Sequence, residues 1–330
     1  MVSSVRTPTD TELLVGGQAL IEGVMMRAPG AYGIAVRKPD GSIAVARGKV
    51  VSWAKRYPIF KLPFLRGIAI LFQSLALGIR ALNFSAAAAM EEKAAEPEST
   101  PTPKSESSWS IALAMTFALV IGAGVFILLP LWLTQLGEKH LFGQLSGVGF
   151  NLIDGALRAL FFLGYIGVIS RLPDIHRVFM YHGAEHKVVF TWEKQRPLTP
   201  EKAQEESRLH PRCGTSFLLF VLLISILVFA LIPKTSPFLI KLVGRLVLVP
   251  LVAGTSYEVL RLTAKRRAAP LFAALVYPGL MLQRITTQEP TEDMLQVAIV
   301  ALEEALREDG LLPEAEPAAS AAVPLVAAGA

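Results

Sequence analysis

The sequence predicts a polytopic α-helical membrane protein. About four transmembrane helices are expected, with interfacial or re-entrant helices beside them and a small N-terminal β region. Three observations carry this expectation. Apolar residues make up 52% of the 330, charged residues only 18%, and mean hydropathy is +0.48. A soluble domain carries about a quarter charged residues, and whole-chain disorder needs low hydrophobicity with high charge. Four apolar stretches approach the ~20 residues that a helix needs to cross a bilayer core. Lys and Arg alternate between the connections of those stretches, as the positive-inside rule requires. The net charge of +5 and isoelectric point near 9.3 fit membrane orientation better than a nucleic-acid footprint, so no nucleic-acid partner is expected. The single cysteine, Cys213, excludes an intramolecular disulfide framework.

Met1 to Glu12 is polar and lacks the basic start and apolar core of a signal peptide, so the chain is expected to begin in the cytoplasm. Residues 1–58 read as a cytoplasmic β region. Within Leu14 to Trp53, Ile34-Ala35-Val36 and Ile43-Ala44-Val45 flank the turn sequence Pro39-Asp40-Gly41. Glu22 and Arg27, set among glycines and apolar residues, read as a structural ion pair in a tight-turned β segment, ahead of a substrate-binding or interaction loop. Residues 59–84 read as an interfacial or re-entrant helix, with a further span as the alternative, because the apolar stretch Leu62 to Leu82 contains Arg66 and Arg80. Residues 85–109, rich in Ala, Glu, Ser, Thr and Pro, read as a disordered linker.

Residues 110–170 hold the first two expected spans. Ser110 to Leu133 has no charge, whereas Gly147 to Ser170 contains Asp154 and Arg158, one helical turn apart and able to pair or to face a polar interior. Residues 215–260 hold the other two, Thr215 to Ile232 and Phe238 to Leu260. The last contains Lys241, Arg245 and Pro250 and must pack against other helices. Residues 261–290 read as a re-entrant or interfacial segment, its apolar stretch Ala268 to Leu282 broken at Pro278-Gly279, with a further span as the alternative. Residues 291–310 carry Met294, Val297, Ala298, Ala301, Leu302 and Ala305 at helical spacing, an amphipathic helix, and residues 311–330 an Ala/Pro-rich disordered tail.

Basic residues cluster before the first span, between spans two and three, and after span four, while the two other connections hold only Lys139 and Lys234. That alternation predicts a multi-pass protein of the bacterial plasma (inner) membrane with both termini cytoplasmic.

The chemistry concentrates in the cytoplasmic segment 171–214. Tyr181-His182-Gly183-Ala184-Glu185-His186 contains H-x-x-E-H. Four residues apart on a helix, His182 and His186 project from one face, with Glu185 beside them. Two neutral imidazoles suit zinc, and a nearby carboxylate can take a proton from water that a zinc ion activates. The inverted zinc-peptidase signature has this pattern. His210-Pro211-Arg212-Cys213 adds a further imidazole and the only thiol, which stays reduced in the cytoplasm. The candidate ligands are therefore His182, His186, His210 and Cys213, for zinc or another divalent ion, with Glu185 as general base. Four protein ligands would close a structural site, and three would leave an open, catalytic position. His140 and His176 read as ordinary polar residues, with His176 close enough in sequence to serve as a reserve ligand. Thr286-Thr287-Gln288-Glu289-Pro290 reads as the entry to the C-terminal helix.

Four strings in order resemble the YqhQ-like family of bacterial membrane proteins: GGQALIEGVMMR (Gly16 to Arg27), YHGAEHK (Tyr181 to Lys187), HPRCGTSF (His210 to Phe217) and PGLMLQRITTQEP (Pro278 to Pro290). The resemblance covers roughly Leu14 to Arg307. It implies a domain of unknown function that is also labelled a predicted metal-dependent enzyme, and no His, Glu or Cys of the pattern is missing.

The leading functional expectation is a zinc-dependent membrane hydrolase, peptidase- or amidase-like. It would act at the cytoplasmic membrane face on a membrane protein or peptide, with membrane lipid around it. A non-enzymatic scaffold stapled by a structural zinc is the alternative from another class. A transporter-like protein with Asp154, Arg158, Lys241 and Arg245 along a polar path is a third.

Overall fold

The computed structural model describes residues 15–50, 53, 57–90, 108–233, 235–265 and 270–313. The N-terminal β region forms a four-stranded antiparallel sheet in simple meander order. Its strands are β1 (Gly16–Leu20), β2 (Gly23–Arg27), β3 (Ala31–Arg37) and β4 (Ile43–Lys49). The Pro39-Asp40-Gly41 turn closes β3 onto β4: Lys38 N–H donates to the Ser42 carbonyl at 2.8 Å, and Gly41 takes a φ of +85° that only glycine adopts freely. The strands lack a clean polar alternation because both faces of the sheet are covered.

One face packs on α1 (Leu65–Met90), which contributes Leu77, Ala81 and Ala88 to a core with Leu20, Met25, Ile34 and Val36. Ser85 of α1 donates to the Ile21 carbonyl. The other face packs on α5 (Pro173–Glu193) and α10 (Glu292–Glu308), whose Leu295, Leu302 and Leu306 are fully buried. Gly33 makes this close approach possible, since a Cβ there would lie 2.3 Å from the Ala301 carbonyl oxygen. The expected amphipathic helix 291–310 is thus the lid of a three-layer α/β/α unit.

The apolar helices form the second part. α2 (Ser108–Ala123) runs through a π-helical turn (Gly124–Leu128) into α3 (Leu129–Gly137) and a second π-helical turn (Glu138–Phe142). Then follow α4 (Gly147–Ile169), α7 (Gly214–Phe229), α8 (Phe238–Lys265) and α9 (Pro270–Thr286), with the short α6 (Pro200–Gln204) between α5 and α7. Among the described residues, four helices are long and apolar enough to cross a membrane: Leu65–Ala89, Thr116–Phe142, Gly147–Ile169 and Phe238–Leu262. This set differs from the expected one. It includes the stretch expected as 59–84, and Phe217–Phe229 of the third expected span is a shorter apolar helix.

Three further expectations are corrected. The linker expected from residue 85 cannot start there, because α1 runs on to Met90; the rest of it, 91–107, lies outside the described residues, as does the tail from 314. Pro278-Gly279 does not break the helix, since α9 carries Pro278 in its interior and packs against α7. Glu22 does not pair with Arg27. Glu22 has a left-handed φ of 54°, and its carboxylate takes Arg177 of α5 at 2.6 Å and the Tyr181 hydroxyl at 3.3 Å. That places the β1–β2 turn against α5.

The charges of the apolar helices meet one another. Asp154 accepts from Arg158 at 2.6 Å and from Arg245 at 2.8 Å, and all three are buried. Arg158 also donates to Ser225, and Lys241 lies 4.7 Å from the Phe150 ring centre. The cavity beside them, lined by Asn151, Phe229, Lys241 and Arg245 among others, has a volume of about 10 Å³, room for about one water.

Candidate metal centre

α5 starts where Pro173 occupies the first helical turn and Asp174 complements the helix dipole. It ends at Glu193, and Gln195, two residues on, turns the chain away with a left-handed φ of 54°. The helix puts His182 and His186 on one face with ring centres 4.5 Å apart. Cys213 caps the N-terminus of α7, where its sulfur accepts the Thr215 amide at 3.4 Å and meets the Thr215 hydroxyl at 3.2 Å. One ligand atom each from His182, His186 and Cys213 lies within 4.8 Å of the others.

The tautomers follow from the partners. His182 Nδ1 is 2.8 Å from the Thr286 carbonyl, and His186 Nδ1 is 2.5 Å from the Arg208 carbonyl. A carbonyl only accepts, so each Nδ1 carries the proton and each Nε2 keeps its lone pair. His182 Nε2 lies 3.1 Å from Cys213 Sγ, while His186 Nε2 is buried beside Cys213 and makes no close hydrogen bond among the described residues. Burial holds the His186 imidazole below its usual range, an effect that nearby Cys213 counters. A neutral imidazole is the ligating form. Metal-ligating histidines characteristically donate their other ring N–H to a carbonyl or carboxylate, which orients the ring. Tetrahedral zinc with two nitrogens and a sulfur separates those atoms by about 3.3–3.6 Å. The donor set of His182, His186 and Cys213 is of the right chemistry for such an ion: the His182–Cys213 pair, at 3.1 Å, is within a few tenths of an ångström of that spacing, and the three donor atoms lie within 4.8 Å of one another.

His210 and Glu185 stand outside this cluster. The His210 ring packs on Phe190 with centres 4.4 Å apart, and its Nε2 lies 3.4 Å from Glu193. Its backbone is fixed by Gln283, whose side chain accepts from the His210 amide at 2.8 Å and donates to its carbonyl at 2.9 Å. Of the four candidate ligands, the donor atoms of His182, His186 and Cys213 lie together, whereas His210, its ring centre 5.7 Å from that of His186, is not part of that group. Glu185 is buried against β1, with the Gly17 amide as a hydrogen-bond donor. Burial pushes its carboxyl upward, against the pull of His182, His210 and that amide. Glu185, His186, His210 and Cys213 line one cavity of about 140 Å³. It shares Val15, Gly16, Gly17 and Arg212 with a larger neighbour of about 410 Å³. His140 and His176 lie elsewhere and are exposed.

The segment after α9 has a role that its sequence did not disclose. Thr286 offers the carbonyl to His182, Gln288 N–H donates to Phe179 at 2.8 Å, and Glu289 pairs with Lys187 at 3.0 Å and Arg208 at 3.3 Å. Arg208 also donates to Thr287. Gly183 admits the segment, because a Cβ there would lie 2.0 Å from the Gln288 carbonyl oxygen. The signals were present as Gly183 inside H-x-x-E-H and as Gln283, a polar residue in the apolar run of α9.

Of the four sequence strings, three supply the donors or their orienting groups, and the fourth supplies Gly17 beneath Glu185. The family described as "Protein of unknown function (DUF1385)" matches residues 62–308. The chain belongs to this family. It is similar to "Uncharacterized protein YqhQ" of Bacillus subtilis (strain 168), with 39% identity over 304 residues, which cover 90% of this chain and 93% of the relative. No solved structure matches the chain.

Proposed function

We propose that this DUF1385 protein is a zinc-dependent hydrolase, peptidase- or amidase-like, acting at the cytoplasmic face of the plasma membrane. One observation carries the reading. Both imidazoles are anchored through Nδ1 to backbone carbonyls, which leaves both Nε2 atoms for an ion beside Cys213. The diversion of His210 toward Glu193 favours three protein ligands and hence an open position, against the four-ligand structural staple. When bound, zinc supplies Lewis-acid activation of water and of a substrate carbonyl. The chain's own residues do the rest. The Thr286 and Arg208 carbonyls hold the imidazoles in register, and Glu185, in the adjoining cavity, accepts the proton from water. β1 is an edge strand whose Gly16 and Gly17 line the cavities, which supports an extended peptide as substrate.

The topology follows from charge and packing. α7 has 16 residues, about 24 Å of helix against a bilayer core of about 30 Å, and the apolar sequence continues past it to Ile232. α1 is long enough to span, but its residues from Leu77 to Ala88 pack on the sheet, so it lies along the interface. Four crossings then remain, through α2–α3, α4, α7 and α8. They keep both termini and the metal centre on the cytoplasmic side, where the basic connections fall.

The test is a paired measurement on purified protein and on a strain lacking it. Wild type should carry about one zinc per chain, and the double variant His182→Ala, His186→Ala should carry none. Glu185→Gln should keep its metal yet lose function, since a missing general base costs about a hundredfold or more in rate. Full complementation by Glu185→Gln would reject the hydrolase and favour the structural staple.

A further inference from the structure

Arg27 ends β2, Lys49 ends β4 and Arg80 lies on α1, yet the three line one cavity of about 620 Å³ between the sheet and α1. Among the described residues none of the three has a carboxylate partner; Arg27 donates to the Ser74 hydroxyl at 3.5 Å and lies near Tyr257. Burial draws the Arg27 guanidinium below its usual range. A partly desolvated cation without a counter-charge costs free energy, and three cations lining one cavity make it a favourable place for a negative charge. The arrangement calls for an anion.

The rest of the wall says which kind. Tyr32, Trp53 and Tyr57 complete it, and Trp53 and Tyr57 are 39% and 50% exposed at its rim. Trp and Tyr concentrate at the headgroup level of a bilayer, where one end of the ring system is wet and the other apolar. On α1, Phe72 and Leu75 are 58% and 59% exposed, an apolar surface that only lipid or a partner would cover. The volume far exceeds that of a free phosphate ion. We propose that this cavity binds the phosphate-bearing headgroup of an anionic membrane lipid, with Arg27, Lys49 and Arg80 facing the phosphate and Trp53 and Tyr57 flanking the glycerol region. This binding is independent of the metal centre, although the cavity adjoins, at Arg27 and Leu77, the one that leads there.

The test uses the full chain in a non-ionic detergent. Short-chain phosphatidylglycerol is titrated while fluorescence is followed, and the Trp53 contribution is isolated by difference from Trp53→Phe. A saturable change is expected. Lys49 and Arg80 are exposed, so Lys49→Gln, Arg80→Gln should fold, with melting temperature as the control. Each cation near an anionic lipid surface contributes about fivefold, so the double variant should bind about thirtyfold more weakly. Equal binding by wild type and the double variant, or no saturable change, would overturn the proposal. Inorganic phosphate at the same concentrations should produce no Trp53 response; saturation by phosphate alone would overturn the lipid assignment. Retained lipid binding in His182→Ala, His186→Ala would confirm that this site stands apart from the metal centre, and its loss would refute that independence.

Discussion

Gly183→Ala tests whether the metal centre depends on the close approach of the segment after α9. In isolation the change favours the helix, since Ala exceeds Gly in helix propensity by about 1 kcal/mol. At this position the new Cβ would lie 2.0 Å from the Gln288 carbonyl oxygen, a backbone atom, whereas Cβ contacts essentially never fall under 3.0 Å. The segment must therefore retreat by roughly 1 Å, the difference between those two distances. That retreat stretches two hydrogen bonds, both now at 2.8 Å: Gln288 N–H to Phe179, and His182 Nδ1–H to Thr286. At roughly 3.8 Å neither remains a hydrogen bond. Each contributes about 1 kcal/mol and the overpacking costs about 1–3, so the net destabilisation after the propensity gain is about 2–4 kcal/mol. Losing the group that orients a ligating histidine typically costs about 10- to 100-fold in metal affinity. The assay is zinc competition against a chromophoric chelator, with thermal unfolding in detergent alongside. A Gly183→Ala protein that is more stable than wild type and binds zinc equally well would refute the reasoning.

Two other outcomes follow from the same geometry. His210→Asn should retain about one zinc per chain by elemental analysis, because the His210 ring packs on Phe190 and Glu193 outside the three-ligand cluster; loss of metal from a variant that still melts cooperatively would restore the four-ligand closed site. Asp154→Asn should lower stability by about 3–5 kcal/mol, since it leaves Arg158 and Arg245 buried without their shared carboxylate. Detergent-phase unfolding that shifts by under about 1 kcal/mol would show that the cluster is not held by charge.

The elements legible in the sequence were those whose signal is local. The turn at Pro39-Asp40-Gly41, the charge-free apolar run after Ser110, and the 3.6-residue spacing from Met294 to Ala305 each need only neighbouring residues to be read. The pair His182 and His186 was legible for the same reason, and Cys213 because it is the only thiol. What escaped depends on which elements meet. Glu22 has Arg27 five residues away, yet its partner is Arg177, because the β1–β2 turn packs against α5 rather than closing on itself. His210 carries the same chemistry as His182, but Gln283 holds its backbone and its ring packs on Phe190 with Nε2 near Glu193, contacts made by residues distant in sequence. The apolar run from Leu62 could equally suit lipid or a protein core; sheet residues such as Met25 and Ile34, distant in sequence, decide that its second half is core. The decisive case is Thr286-Thr287-Gln288-Glu289-Pro290. A helix-entry reading accounts for its polarity, but Thr291 caps α10 without any side-chain hydrogen bond. The polar groups of the segment are spent instead on Arg208 and Lys187, and its Thr286 carbonyl on His182. A carbonyl is present at every residue and leaves no trace in the side-chain pattern, so an orienting group of this kind is visible only once the chain has folded around it.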